Sequence, residues 1–278
     1  MTNEIKPVLP LPDRVMAEPV FNLRREELAY FACSSSLRVY DQWKEDLGYS
    51  HLDHLPLIWS PLSLIWLAQY PLLYGYAEEL MREGVLPRWT FRELQLQGQD
   101  FIGASFNSLR MVRSCMDRCD LSQAHIARCN LAASSMREAE LRSARVEDSE
   151  LHQVDLTGAR LRRSRWHGSR AFFSSMIGAD LTDARFVKCF LHRTMFDKAK
   201  VWRSCFLECD LSHTSLGCAD LSGATFHNTD LECAVLLGAN LTGIQFDNTN
   251  LERVLWNTNF PTPEGWQLVD ESYLSKKT

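Results

Sequence analysis

No glycine-rich phosphate loop, G-x-G-x-x-G turn, G-x-S-x-G nucleophile turn or H-E-x-x-H helix occurs anywhere in the 278 residues. Their absence removes the commonest sequence routes to phosphoryl, hydride and acyl transfer and to zinc hydrolysis. The eight histidines are scattered rather than clustered. No catalytic residue, metal or cofactor is therefore expected, and the chain reads as non-enzymatic. The first twenty residues lack a basic segment followed by an apolar stretch, so no secretory signal is expected. A helical period of 3.6 and a strand period of 2 are both missing from the central part of the chain.

What is present is a period of five. From Phe91 to Trp256 every fifth residue is apolar, through thirty-four positions without a slip. At 45% apolar content such a run has a chance probability on the order of 10⁻¹². A second rule is locked to the first. Two residues before each central position, all twenty-six sites from Ser114 to Ala239 hold Ala, Ser, Cys, Thr or Val. One large and one small side chain can be buried in every five residues only if the chain turns a corner each time. Four corners close a square coil of twenty residues, and coils stack at strand spacing, about 4.8 Å. The remaining three residues of each five face solvent, and a rod with a solid core offers no concave pocket.

Gly178-Ala179-Asp180-Leu181-Thr182, Cys218-Ala219-Asp220-Leu221-Ser222 and Gly238-Ala239-Asn240-Leu241-Thr242 spell A-(D/N)-L-(S/T)-x. This motif resembles the pentapeptide-repeat family across residues 89–260. The resemblance implies an all-β solenoid, a right-handed quadrilateral parallel β-helix of about eight coils. Trp166 and Ala171 share one coil as the oversized and undersized central residues. They are expected to compensate in volume; otherwise the chain bulges and Phe172 turns inward. After Phe260 the prolines Pro261 and Pro263 break the register, and residues 261–278 are expected to form a cap or tail over the open end.

Residues 1–88 have a different grammar and are read as a small α-helical domain. Leu23–Phe31 and Leu37–Leu47 read as short helices. Leu55–Tyr76 carries no charge over twenty-two residues, long enough to raise a membrane span. Pro61, Pro71 and Gln69 favour two short buried helices instead, so membrane association is the lesser expectation. Nine cysteines is an odd count. Cys119, Cys129, Cys189 and Cys209 occupy the small inward site, which makes them core filler in a reduced, cytoplasmic protein rather than disulfides. In the pairs Cys115/Cys119 and Cys205/Cys209 one thiol points in and the other out, which is incompatible with zinc.

The net charge of −5 conceals an asymmetry along the rod. Residues 110–200 hold 17 Lys+Arg against 11 Asp+Glu, or +6; residues 201–260 hold 2 against 7, or −5. Residues twenty apart stack, so Arg145, Arg165 and Arg185 form a column of like charges. Arg162, Arg163, Arg203 and Trp202 lie on this face and the one beside it, which carries the column from Asp100 to Asn240, and Phe172 and Phe173 on a third. Arginines beside exposed aromatics have the composition of a protein-binding hot spot, and this set is the candidate contact surface. The acidic end, Asp210, Asp220, Asp230 and Glu232, is a second one. Direct base-reading of nucleic acid is not expected from a smooth rod.

The best-known members of the family are acidic DNA mimics that bind type II topoisomerases such as gyrase. The rod of this chain is neutral as a whole, with a basic middle, so that role is the second expectation. The first is a bacterial immunity or inhibitor protein that binds and neutralises a secreted, nuclease-type toxin. A secreted effector or membrane-associated scaffold is the third. Neither the toxin nor the oligomeric state is legible in the sequence.

Overall fold

The computed structural model describes residues Val20–Arg24, His54–Ile58, 93–270 and 272–277. The chain divides into two compact units, Met1–Thr90 and Phe91–Thr278. In the first unit, β1 (Val20–Arg24) pairs antiparallel with β2 (His54–Ile58). The sequence reading of helices from Leu23 and from Leu55 is corrected there, because Leu23, Arg24 and Leu55–Ile58 are strand. The rest of Leu23–Phe31, Leu37–Leu47 and Leu55–Tyr76 lies outside the described residues. Among the described residues there is no α-helix, and no helix is long and apolar enough to cross a membrane.

The second unit is a parallel β-solenoid. Eight three-residue strands stack in chain order: β3 (Ser105–Asn107), β4 (His125–Ala127), β5 (Arg145–Glu147), β6 (Arg165–His167), β7 (Arg185–Val187), β8 (Cys205–Leu207), β9 (Thr225–His227) and β10 (Gln245–Asp247). Each is twenty residues after the last and pairs with it in register, Ser105 with His125 and Arg145 with Arg165. The expected eight coils are these eight rungs, which enclose seven full turns. The other sides of the coil are joined by single parallel bridges at the same spacing, such as Asp120 with Glu140 and Asn130 with Glu150.

The corners are made by a residue in the left-handed region two places after each central residue. Gly103 has φ 66° and Arg163 φ 58°, and the amide of Ala104 donates to the carbonyl of Phe101 at 3.0 Å. This is the type II turn, whose third residue needs positive φ. Glycine fills that site before two of the three A-(D/N)-L motifs, at Gly178 and Gly238. Three sides of the coil close this way. On the β3–β10 side the turn bond is missing, and side chains replace it. Ser149 Oγ accepts the Cys129 amide at 3.0 Å, and Ser169 Oγ accepts the Ser149 amide at 3.2 Å. The thiols of Cys129, Cys189 and Cys209 stand in the same column and donate to carbonyls two residues earlier. The inward cysteines thus fill space and also close hydrogen bonds. Burial pushes the thiols of Cys119 and Cys129 up to about 11; the hydrogen bond with the Cys189 sulfur, and then burial, push that of Cys209 up as well.

The core follows the period of five. Trp166 and Ala171 are both buried, and the Trp166 indole N–H reaches Ser164 Oγ at 3.1 Å. No bulge forms, and Phe172 stays outside. Above Trp166 the rings of Phe186, Phe206, Phe226 and Phe246 stack at 5.0–5.5 Å. After the last coil, β11 (Trp266–Val269) and β12 (Tyr273–Lys276) form an antiparallel hairpin. The hairpin closes one part of the rod end: the Arg253 amide donates to the Leu274 carbonyl at 2.8 Å and the Leu274 amide to the Val254 carbonyl at 2.9 Å.

Candidate functional site: an arginine ladder on the strand face

The pentapeptide position just before each central residue points outward, and its occupants stack into columns. On the face built by β5, β6 and β7 that column is Arg145, Arg165 and Arg185, each exposed and each paired in register with the next. The pitch is that of paired strands, about 4.8 Å. Three like charges so placed repel by on the order of 1 kcal/mol per adjacent pair in water. Cys205 and His125 bound the ladder at its two ends.

Most neighbouring arginines are already neutralised. Arg142 and Arg160 share Glu140, the former at 3.0 Å. Arg162 stands 4.0 Å from Asp180, and Arg170 bonds Glu150 at 2.8 Å. Arg203 bonds Asp183 at 2.8 Å and lays its guanidinium 3.8 Å over the ring of Trp202, which is 41% exposed. Arg145, Arg163, Arg165 and Arg185 make no ion pair among the described residues. The structure therefore sorts the expected cluster. Arg162 and Arg203 are matched by Asp180 and Asp183, and Trp202 lies under Arg203. Arg163, at the corner beside Arg165, joins the ladder as a fourth uncompensated charge.

Phe172 and Phe173 lie around the next corner and play different parts. Phe172 is half-buried in a stack between His152 and His192, with centroids 5.2 and 5.0 Å away and rings within 8° of parallel. The two histidines in turn face Glu150 at 3.8 Å and Asp210 at 3.5 Å. Scattered in the sequence, His152 and His192 come together on Phe172 because the three stand at 20-residue spacing, the signal in the sequence that points to the stack. Phe173 is exposed at 46%, under Arg193 at 5.4 Å, and Phe190 at 45%, under Arg170 at 5.8 Å.

The acidic end does not assemble. Asp210 and Asp230 are neighbours on one side of the coil. Asp220, half a coil from each, stands on the opposite side, bridged to Lys200 and Asn240. Each carboxylate is also engaged with backbone: Oδ1 of Asp210, Asp220 and Asp230 accepts the amide two residues on, at 3.0, 3.1 and 2.9 Å. Glu232, whose amide is one of these donors, shares the Asp210 side. The four residues of the acidic end are thus divided between two opposite sides of the coil. A concave feature also exists where none was expected, an open cleft of about 920 Å³ beside the last coil.

The comparisons with known proteins fall on the solenoid. The family described as Pentapeptide repeats (8 copies) matches at residues 114–153, 124–163 and 149–186, and the Pentapeptide repeat region matches residues 179–256. Among solved structures, HetL of the cyanobacterium Nostoc sp. strain PCC 7120, a pentapeptide repeat protein involved in heterocyst differentiation regulation, is 24% identical. That match covers 65% of this chain and 97% of HetL, with a TM-score of 0.33. Full-length QnrB1, a plasmid-mediated fluoroquinolone resistance protein, is 17% identical over 56% of this chain and 93% of its own, with a TM-score of 0.37. A pentapeptide repeat protein of the Arabidopsis thaliana thylakoid lumen is 19% identical over 51% of this chain and 77% of its own, with a TM-score of 0.28. No curated protein matches. With pentapeptide units matched from residue 114 to residue 256, and with the central side chain and the one two before it buried in each unit up to Leu241, the chain belongs to the pentapeptide-repeat family.

Proposed function

We propose that this chain is a non-catalytic, cytoplasmic protein-binding module that holds one protein target against the strand face of its rod. In the specific form favoured here it is a bacterial immunity protein that neutralises a secreted, nuclease-type toxin. The observation that carries the reading is the ladder Arg145, Arg165 and Arg185, stacked in register with no ion pair among the described residues. A rod that neutralises most of its other arginines leaves these for an anionic partner. The neighbouring Phe173 and Phe190 offer the apolar contact area that makes such an interface tight. A target with an acidic patch beside its active site would be occluded by this face. The separation of Asp220 from Asp210 and Asp230 argues against the inverse arrangement, in which acids of this chain fill a basic cleft.

The test is affinity capture of the tagged full chain from its native source, with Arg145→Ala/Arg165→Ala/Arg185→Ala as control and co-expression of the recovered partner as readout. A toxin retained by the wild type, lost by the triple variant and silenced on co-expression is the expected result. Gyrase or topoisomerase IV retained by both proteins would replace this reading with the DNA-mimic one. Flotation with liposomes would replace it with the membrane-scaffold reading.

A further inference from the structure

The rod closes its hydrogen bonds by a fixed rule. The amides of each central residue and of the residue two further on donate to carbonyls one coil ahead, as Phe101 to Asp120 at 2.7 Å and Gly103 to Ser122 at 2.8 Å. The amide before each central residue donates one coil back, as His125 to Ala104 at 2.8 Å. The last coil has no coil ahead, so its open groups must be met otherwise.

The chain meets only part of this need. The hairpin serves Arg253, Val254 and Trp256, whose amide donates to Ser272 at 3.0 Å, and the Asn257 side chain serves the Ala239 carbonyl at 2.7 Å. Between them the edge is open among the described residues. The amides of Leu241, Gly243, Phe246 and Asn248 and the carbonyls of Ile244 and Thr249 have no partner among the described residues. The core is open at the same place: Ile244 and Phe246 are half-exposed, whereas Ala224 and Phe226 one coil below are buried. An unpaired strand edge over an apolar floor is a template for another strand.

We infer that this edge is a binding site for an extended, basic segment of a partner protein, which continues the parallel sheet beyond β10. The cleft of about 920 Å³ runs along the edge, with Ile244 and Phe246 on its floor and Pro263 and Trp266 on the facing wall. Its charged rim is Glu232, Glu252 and Glu264 against the single Lys276. Strand addition takes affinity from backbone bonds and specificity from alternate side chains. The segment therefore places an apolar or aromatic residue over Phe246, continuing a ring column whose last step, Phe226 to Phe246, is 5.5 Å. It carries Lys or Arg on either side to meet the three carboxylates. A second copy of this same end fits worse, since it would bring three further carboxylates against these. The site stands on a different observation from the arginine ladder and does not depend on it.

The probe is a capped, fluorescent heptapeptide, Lys-Val-Lys-Phe-Lys-Val-Lys, titrated into the full chain. Its controls are the Glu-for-Lys version and a version N-methylated at alternate residues. The expected result is binding of the parent peptide at least roughly ten-fold tighter than either control. Glu252→Gln/Glu264→Gln should weaken it several-fold without lowering the melting temperature. Hydrogen exchange should slow at Phe246 and Asn248 and stay unchanged at Phe226. Equal binding of the N-methylated peptide, or no added protection at Phe246 and Asn248, would overturn strand addition. So would protection of the same amides that rises with protein concentration in the absence of peptide, which would give the edge to a second copy. No binding by the parent peptide would overturn the site itself.

Discussion

Two columns of charge run along neighbouring sides of the rod, built from the same pentapeptide position, and only one of them is neutralised. The first is Asp100, Asp120, Glu140, Arg160, Asp180, Lys200, Asp220 and Asn240. Its aspartates work for the backbone: Asp100, Asp120, Asp180 and Asp220 each accept the amide two residues on, at 2.9–3.1 Å. Repulsion along it is relieved by Arg160 on Glu140 and by Asn240, which donates to Asp220 at 3.0 Å. The second column, Arg145, Arg165 and Arg185, has no such occupation. A guanidinium carries only donors, so it cannot take up an amide as a carboxylate does. On that side the residue after the central one lies within a paired strand, and no Asp or Asn precedes a central residue between Ser105 and Gln245. The same site thus carries structure where it holds Asp or Asn, and on the strand side, where it holds Arg145, Arg165 and Arg185, it carries charge with no ion pair among the described residues.

The comparison can be broken at three depths. The deepest cut is the frame shared by both columns. Leu181→Ala or Leu211→Ala, at sites fully enclosed by neighbouring coils, should lower unfolding free energy by about 2–5 kcal/mol in denaturant titration. A much smaller loss would mean that coils collapse around a cavity and do not hold their columns rigidly.

The next cut separates the columns. Asp180→Ala removes the acceptor of the Thr182 amide and should cost about 0.5–1.5 kcal/mol, whereas Asp180→Asn should cost little, because Asn240 already caps Thr242 at 3.2 Å. Arg165→Ala should leave stability unchanged or raise it by up to about 1 kcal/mol, more at low salt. If Arg165→Ala destabilises as Asp180→Ala does, the ladder is structural and the proposed contact face fails.

The last cut is at the buried thiols, whose effect shows only at alkaline pH. The folded-state pKa of Cys119 and Cys129 is raised from 9.0 to about 11. Their contribution to stability is fully present below pH 9.0 and is lost as pH rises toward about 11. Denaturation midpoints should fall across that window, and Cys119→Ala/Cys129→Ala should flatten the fall.

The rod was legible because a period of five leaves few alternatives for an apolar residue such as Leu181, and because a misfit such as Trp166 beside Ala171 is absorbed by packing. The arginine ladder was legible for the same reason, since register alone stacks Arg145 on Arg165. Neutralisation was not. Nothing in the sequence says that Arg203 chooses Asp183 while Arg163 is left without an ion pair among the described residues, because ion pairing depends on how long side chains bend across a surface. The surroundings of the acids were hidden for a related reason: charge counted along the chain does not show that Asp210 and Asp220 sit half a coil apart or that each serves an amide.

By itself the sequence determined the coil, its core and the order of its surface columns, since burying one large and one small residue in five can be satisfied by a single kind of path. Tertiary structure decided which charges remain free, how Phe172 is shared between two histidines, and which edge of the last coil stays open. Those outcomes depend on contacts between residues about twenty apart, or on how the hairpin after the last coil lies across the rod end. Local propensity does not encode either of them.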